Sequence, residues 1–176
     1  MRIVTLFFSF LFIQYTYSQN IEFVEENFKD NTKEFYEATE AIKSADVLFA
    51  VEEPDYDQLI SLYKKAYQLN PNSAELNYKI GKAYLYDDKP NDALLFLLKA
   101  HELKKDVFVD ITLYIGQAYH LQLMYDQALQ YYNMYKKVMS VDKTTPQYQL
   151  SERKIKEVQR LKLMVENPVR VKIDNV

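Results

Sequence analysis

His101 and His120 are the chain's only imidazoles, and cysteine is absent. A histidine can shuttle a proton or hold a metal near neutral pH, but either role needs a second group at a set spacing. Neither histidine sits in a zinc-type pattern such as His-Glu-x-x-His, so both read as ordinary helix side chains. Without cysteine there is no disulfide, no thiolate metal site, no thiol nucleophile and no cysteine for a lipid anchor. Glu52, Glu53, Asp55 and Asp57 crowd around Pro54 and could offer oxygens to a hard cation. They lack the glycine and the ligand order of a calcium loop, and read as a solvated acidic turn. Glu34, Glu37 and Glu40 form a similar solvent-facing stripe. Two glycines in 176 residues leave none for a phosphate-cradling loop. No catalytic residue, cofactor or metal is expected, and the chain reads as a non-enzyme. A net charge of −3 gives no basic surface for a phosphate backbone, so nucleic acid is not an expected partner.

What remains is a surface, and a surface depends on the elements that build it. With 48% hydrophobic residues, two glycines and five prolines, the composition favours one helical domain with a core over a sheet-rich fold. The 16 tyrosines suit partly exposed packing, since the ring packs while the hydroxyl stays wet.

A repeat of about 35 residues organises the chain. Gly81 and Gly116 stand in matching surroundings: Ile80 with Ile115, Ala83 with Ala118, Tyr84 with Tyr119, Ala93 with Ala128, and Leu94 with Leu129. A neighbouring offset pairs Leu62 with Phe96, Lys65 with Lys99, Ala66 with Ala100 and Leu69 with Leu103. Three units are visible, the first worn in its N-terminal half. A glycine inside a helix costs about 1 kcal/mol against alanine. Placing the only two at equivalent mid-helix slots implies that paired helices touch there, with Ala93 and Ala128 as the small residues opposite. Asn70-Pro71-Asn72-Ser73, Asp87-Asp88-Lys89-Pro90 and Thr145-Pro146 carry stop and cap signals. The pattern predicts helices over 33–50, 56–69, 74–87, 91–104, 109–122, 125–139 and 147–165. In the last of these, Ile155, Val158, Leu161 and Val165 share one face opposite a charged one, as a closing helix requires.

Ile80-Gly81, Tyr84, Ala93 and Ala100, echoed by Ile115-Gly116, Tyr119 and Ala128, resemble the tetratricopeptide repeat. The resemblance implies an all-α, right-handed superhelix of antiparallel hairpins, about three repeats plus a C-terminal capping helix, across residues 21–166. It also implies a concave face lined by the first helix of each repeat. In the family pattern that face takes Glu75, Tyr78, Lys82 and Tyr86 from one unit and Asp110, Leu113, Gln117 and His120 from the next. Rings beside a few polar groups suit peptide recognition. The lysines and asparagines that clamp a C-terminal carboxylate in some repeat domains are missing, apart from Lys82. A narrower resemblance rests on Leu69-Asn70-Pro71, Asn77-Tyr78-Lys79-Ile80-Gly81, Leu97-Leu98-Lys99-Ala100 and the closing Asn167-Pro168-Val169-Arg170-Val171-Lys172-Ile173. It is to the N-terminal repeat segment of Gram-negative envelope proteins that continue into a PD40-type β-propeller and an OmpA-like domain, some of them associated with type IX secretion.

Residues 1–18 read as a signal peptide. Arg2 is followed by an apolar run from Ile3 to Ile13, about 11 residues where a spanning helix needs roughly 20. Thr16-Tyr17-Ser18 supplies small residues for cleavage before Gln19. Residues 167–176 read as a linker in which 169–173 alternates like the start of a strand. The expected protein is exported to the periplasm and associated with the outer membrane, with an envelope protein or peptide segment as partner. The alternative is the truncated N-terminal module of a peptidoglycan-associated OmpA-family protein that only positions downstream domains.

Overall fold

The computed structural model describes residues 19–167; residues 1–18, expected to be a signal peptide, and the alternating segment expected at 169–173 lie outside the described residues. Within them are seven α-helices and no strand: α1 (Thr32–Phe49), α2 (Tyr56–Leu69), α3 (Ala74–Tyr86), α4 (Pro90–Leu103), α5 (Ile111–Leu121), α6 (Tyr125–Val138) and α7 (Pro146–Glu166). They pair as the hairpins α1–α2, α3–α4 and α5–α6, stacked in chain order and closed by α7. The fold is an all-α solenoid of helical hairpins, and each helix lies within two residues of its predicted span.

Local chemistry sets the ends. The Asp55 carboxylate accepts the Gln58 amide at 2.9 Å, the Ser73 hydroxyl accepts the Leu76 amide at 3.2 Å, and Thr145 accepts the Tyr148 amide at 3.2 Å. Each cap satisfies one orphan donor and contributes about 1 kcal/mol. Pro90 and Pro146 occupy first-turn positions of α4 and α7, where a missing amide costs nothing. The turns inside the second and third hairpins are copies of one another. Asp88 (φ 54°) and Leu123 (φ 60°) adopt the left-handed conformation, and the amides that follow, of Lys89 and Met124, donate to the Tyr84 and Tyr119 carbonyls at 2.9 Å.

The two glycines face what the repeat requires. A Cβ on Gly81 would lie 2.7 Å from Leu97 Cγ and 3.0 Å from the Ala93 carbonyl oxygen. A Cβ on Gly116 would lie 2.7 Å from the Tyr132 ring, so there the nearest neighbour is an aromatic face. Ala93, Ala100 and Ala128 are fully buried. Tyr84 stacks on Phe96 (5.7 Å) and, one repeat on, Tyr119 stacks on Tyr131 (5.6 Å), so the same position fills the same layer twice. Asn77 is buried and donates to the Pro71 and Ser73 carbonyls, tying α3 to the turn before it.

Two features were not anticipated. Residues 19–24 run as an extended strap across the α2–α3 turn and lead into a 3₁₀ segment, Glu25–Asn31. The Ile21 amide donates to the Asn72 carbonyl (2.9 Å), the Asn70 side chain donates to the Ile21 carbonyl (2.8 Å), and the Asn20 side chain accepts the Ala74 amide (2.8 Å). Asn20 thereby joins Ser73 in capping α3, from 54 residues away. Phe23 then stacks with Phe28 (5.4 Å), which stacks with Phe35 (5.5 Å), covering the start of α1. At the other end, Val158 is fully buried against Ala128 and Tyr132, but Val165, expected on the same closing face, is 65% exposed. Lys162 pairs with Asp126 at the start of α6, so the last turn of α7 runs beyond the hairpin it covers.

Candidate interaction groove

A cleft of about 380 Å³ opens between α1, α3 and the segment that leads into α5. Asp46 and Phe49 come from α1, and Tyr78, Lys79 and Lys82 from α3. Phe108 and Asp110 come from the connection into α5, and Tyr63 reaches in from α2. Helical spacing explains the α3 set: Lys82 lies three and four residues beyond Lys79 and Tyr78, so the three share one side of the helix.

Polar groups in the cleft are largely committed to one another. Asp46 accepts the Tyr63 hydroxyl at 2.6 Å and Lys79 Nζ at 2.8 Å, and Lys79 also meets Glu75 at 3.1 Å. Asp110 accepts the Tyr78 hydroxyl at 2.7 Å. Burial, then the Asp46 carboxylate, holds the Tyr63 hydroxyl above the usual phenol range, and burial with Asp110 does the same for Tyr78. Tyr114 is raised by burial first and then by the Tyr86 hydroxyl beside it. Burial works to lower Lys79, but its two carboxylates outweigh that and raise it. All these phenols are therefore neutral donors at physiological pH.

Lys82 is held differently. Its Nζ lies 5.1 Å from the Tyr114 ring centroid, 5.5 Å from Phe49 and 5.7 Å from Tyr78, inside a partial cage of rings from three helices. Tyr86, 51% exposed, completes the wall by meeting Phe49 (5.7 Å) and Tyr114 (6.4 Å) edge-on.

Of the residues singled out by the repeat pattern, Tyr78, Lys82, Tyr86 and Asp110 are brought together here. Glu75 lies in the first turn of α3, paired with Lys79, beside the strap. Gln117 is half-buried on α5, one turn beyond Tyr114. Leu113 and His120 point elsewhere: Leu113 packs on the Ala128, Tyr132 and Val158 cluster, and the His120 ring lies 6.3 Å from Tyr125 and Tyr132. Burial lowers the His120 pKa, Glu157 opposes this, and Lys154 adds to it. Asp46, Phe49, Phe108 and Tyr114 were not singled out as groove residues. Phe49 falls on the spacing-three-and-four series Phe35, Ala38, Ile42, Ala45 and Phe49 of α1, a pattern that reads equally as core.

No family model matches the chain, and no curated protein does. The fold has close counterparts among solved structures. It superimposes on the tetratricopeptide (TPR) domain of Sgt2 from Aspergillus fumigatus with a TM-score of 0.62 at 15% identity, over 80% of this chain and 88% of that one. The second TPR domain of human RPAP3, solved with the HSP70 peptide SGPTIEEVD, gives 0.59 at 16% identity, over 72% and 98%. MamA gives 0.52 at 16% identity, over 84% and 86%. At such identities the likeness establishes a tetratricopeptide-type fold.

Proposed function

We propose that this chain is a non-enzymatic protein-interaction scaffold that holds an extended segment of a partner protein in the groove between α1, α3 and α5. The observation that carries this is the aromatic wall of Phe49, Tyr78, Tyr86 and Tyr114, contributed by three helices, of which Phe49 and Tyr78 also line a cleft of about 380 Å³. Rings held by neighbours lose little entropy on binding, which is why such walls carry much of the energy of peptide recognition. Solved neighbours of the same fold hold peptides: one RPAP3 domain an HSP70 peptide, another an HSP90 peptide. Those peptides end in Glu-Glu-Val-Asp, and the groove here offers one uncommitted lysine where a terminal clamp needs several donors, so a chaperone tail is not the proposed ligand.

The proposed setting is the periplasm, beside the outer membrane, on the strength of the leader-like residues 1–18 and the resemblance of the repeats to envelope proteins. Pull-down from envelope extract with wild type and with Tyr86→Ala tests both halves. A partner recovered by wild type and lost with the variant is expected. Recovery of the protein only in the cytosolic fraction would remove the envelope setting, and an unchanged partner set would remove the groove.

A second reading is favoured by one feature: Leu163, Met164 and Val165 are all exposed at the end of α7. An apolar end face suits a module that positions a following domain, as in OmpA-family proteins. Sequencing past codon 176 tests it; an intact or frameshifted propeller reading frame supports this reading, and unrelated DNA opposes it.

A further inference from the structure

Resting on the groove reading above, we infer that the partner segment presents an internal acidic side chain, next to an apolar one, and that Lys82 receives the acid. The argument is one of charge accounting in the cleft. Asp46 is claimed by Tyr63 and Lys79, Glu75 by Lys79, and Asp110 by Tyr78. Lys82 is the one charged group lining the cleft that makes neither a hydrogen bond nor an ion pair among the described residues, whereas Asp110, also without a cation, accepts the Tyr78 hydroxyl. A neighbour three residues back, Lys79, takes two carboxylates, so acids are within general reach of this face and yet none is placed on Lys82.

The three rings explain how an unpaired ammonium stays there. Their negative faces offset part of its lost hydration and fix a flexible side chain in one place. Rings that already face a cation are poor receptors for a second one, so the cleft does not suit a lysine or arginine from the partner. It suits an anion, which adds the ion pair that Lys82 lacks without displacing it. The flanking Phe49, Tyr86 and Tyr114 edges leave apolar wall beside the charge, which is where the neighbouring apolar side chain would lie. An acidic residue at a chain terminus is disfavoured, because it would bring two carboxylates to the one uncommitted lysine and no arginine lines the cleft to take the second.

Selection from a random peptide library displayed without a free C-terminus tests this on the full chain. Enriched sequences are then synthesised with both ends blocked and titrated by fluorescence anisotropy against wild type, Lys82→Met, Lys82→Arg and Tyr86→Ala. Enrichment of Asp or Glu beside an aromatic or aliphatic residue is expected. Lys82→Met should weaken binding about tenfold to a hundredfold, as loss of a charged hydrogen bond does, while Lys82→Arg keeps most of it. Lys82→Met keeps the length of the side chain on the groove surface, and circular dichroism checks that the variant is folded. Neutral or basic sequences that lose affinity with Tyr86→Ala but not with Lys82→Met would overturn the acidic-ligand inference and leave the groove intact. Absence of any enriched sequence sensitive to Tyr86→Ala would sink the groove reading, and this inference with it.

Discussion

Lys79 and Lys82 stand one helical turn apart and meet opposite surroundings, two carboxylates for the first and three rings for the second. Single atoms decide as much at the glycines. Adding a methyl to Gly116 drives it to 2.7 Å from a fully buried ring, and at Gly81 to 3.0 Å from a backbone oxygen. Gly116→Ala and Gly81→Ala are each expected to destabilise by about 1–3 kcal/mol, despite the better helix propensity of alanine. Urea denaturation of the two variants measures this. At His120 the prediction concerns pH. Its folded pKa lies below the ordinary value of 6.5, so the fold prefers the neutral ring. Its contribution is complete above that ordinary value and is lost as pH falls through the folded pKa. Lys154 and Glu157 of α7 face the ring, so the loosening should centre on the α6–α7 contact. Thermal melts from pH 7.5 to 5 should show a decline that His120→Leu flattens; an equal decline in both would remove His120 as its source.

At the scale of elements, the seven helices were legible because their signals are local. Ser73, Thr145, Pro90 and Pro146 act on amides or backbone within one turn, and apolar spacing marks the buried faces. The strap was not legible, since Asn20 and Ile21 bind groups at 70, 72 and 74 that only folding brings near. Groove residues on α1 escaped for a related reason. Six residues, 50–55, join α1 to α2, against three in the later hairpins, so a fixed offset loses its register there. Tyr114 was passed over for Leu113, which the family pattern assigns to the face but which packs towards α7. Two predictions belong here. Leu123 holds φ 60° with an exposed side chain, so Leu123→Gly should stabilise by about 0.5–1 kcal/mol in denaturant titration. Asn20→Ala removes a cap on α3 and should cost about 1 kcal/mol by the same measurement.

Over the whole molecule, each hairpin touches mainly its chain neighbours, so stability is a sum of units and the interfaces between them. Damage should then stay near its source. Val158→Asp places a charge in a fully buried site against Tyr132 and Ala128. Hydrogen exchange is expected to show α5, α6 and α7 losing protection while α1 and α2 keep theirs. Uniform loss along the chain would mean that the solenoid folds as a single cooperative block. The groove, built mostly from α1, α3 and the entry to α5, should keep part of its wall in that variant.

The strap also bears on how this protein is handled at the bench. A recombinant version trimmed to begin at Glu25 would strip the cover from Phe28 and Phe35 and invite clumping, for reasons unrelated to any partner. Affinity tags and fluorophores ahead of Asn20 would crowd the turn at Asn70 and Asn72, where Asn20 and Ile21 are pinned. The far end of α7, already facing water, is the gentler place to attach them.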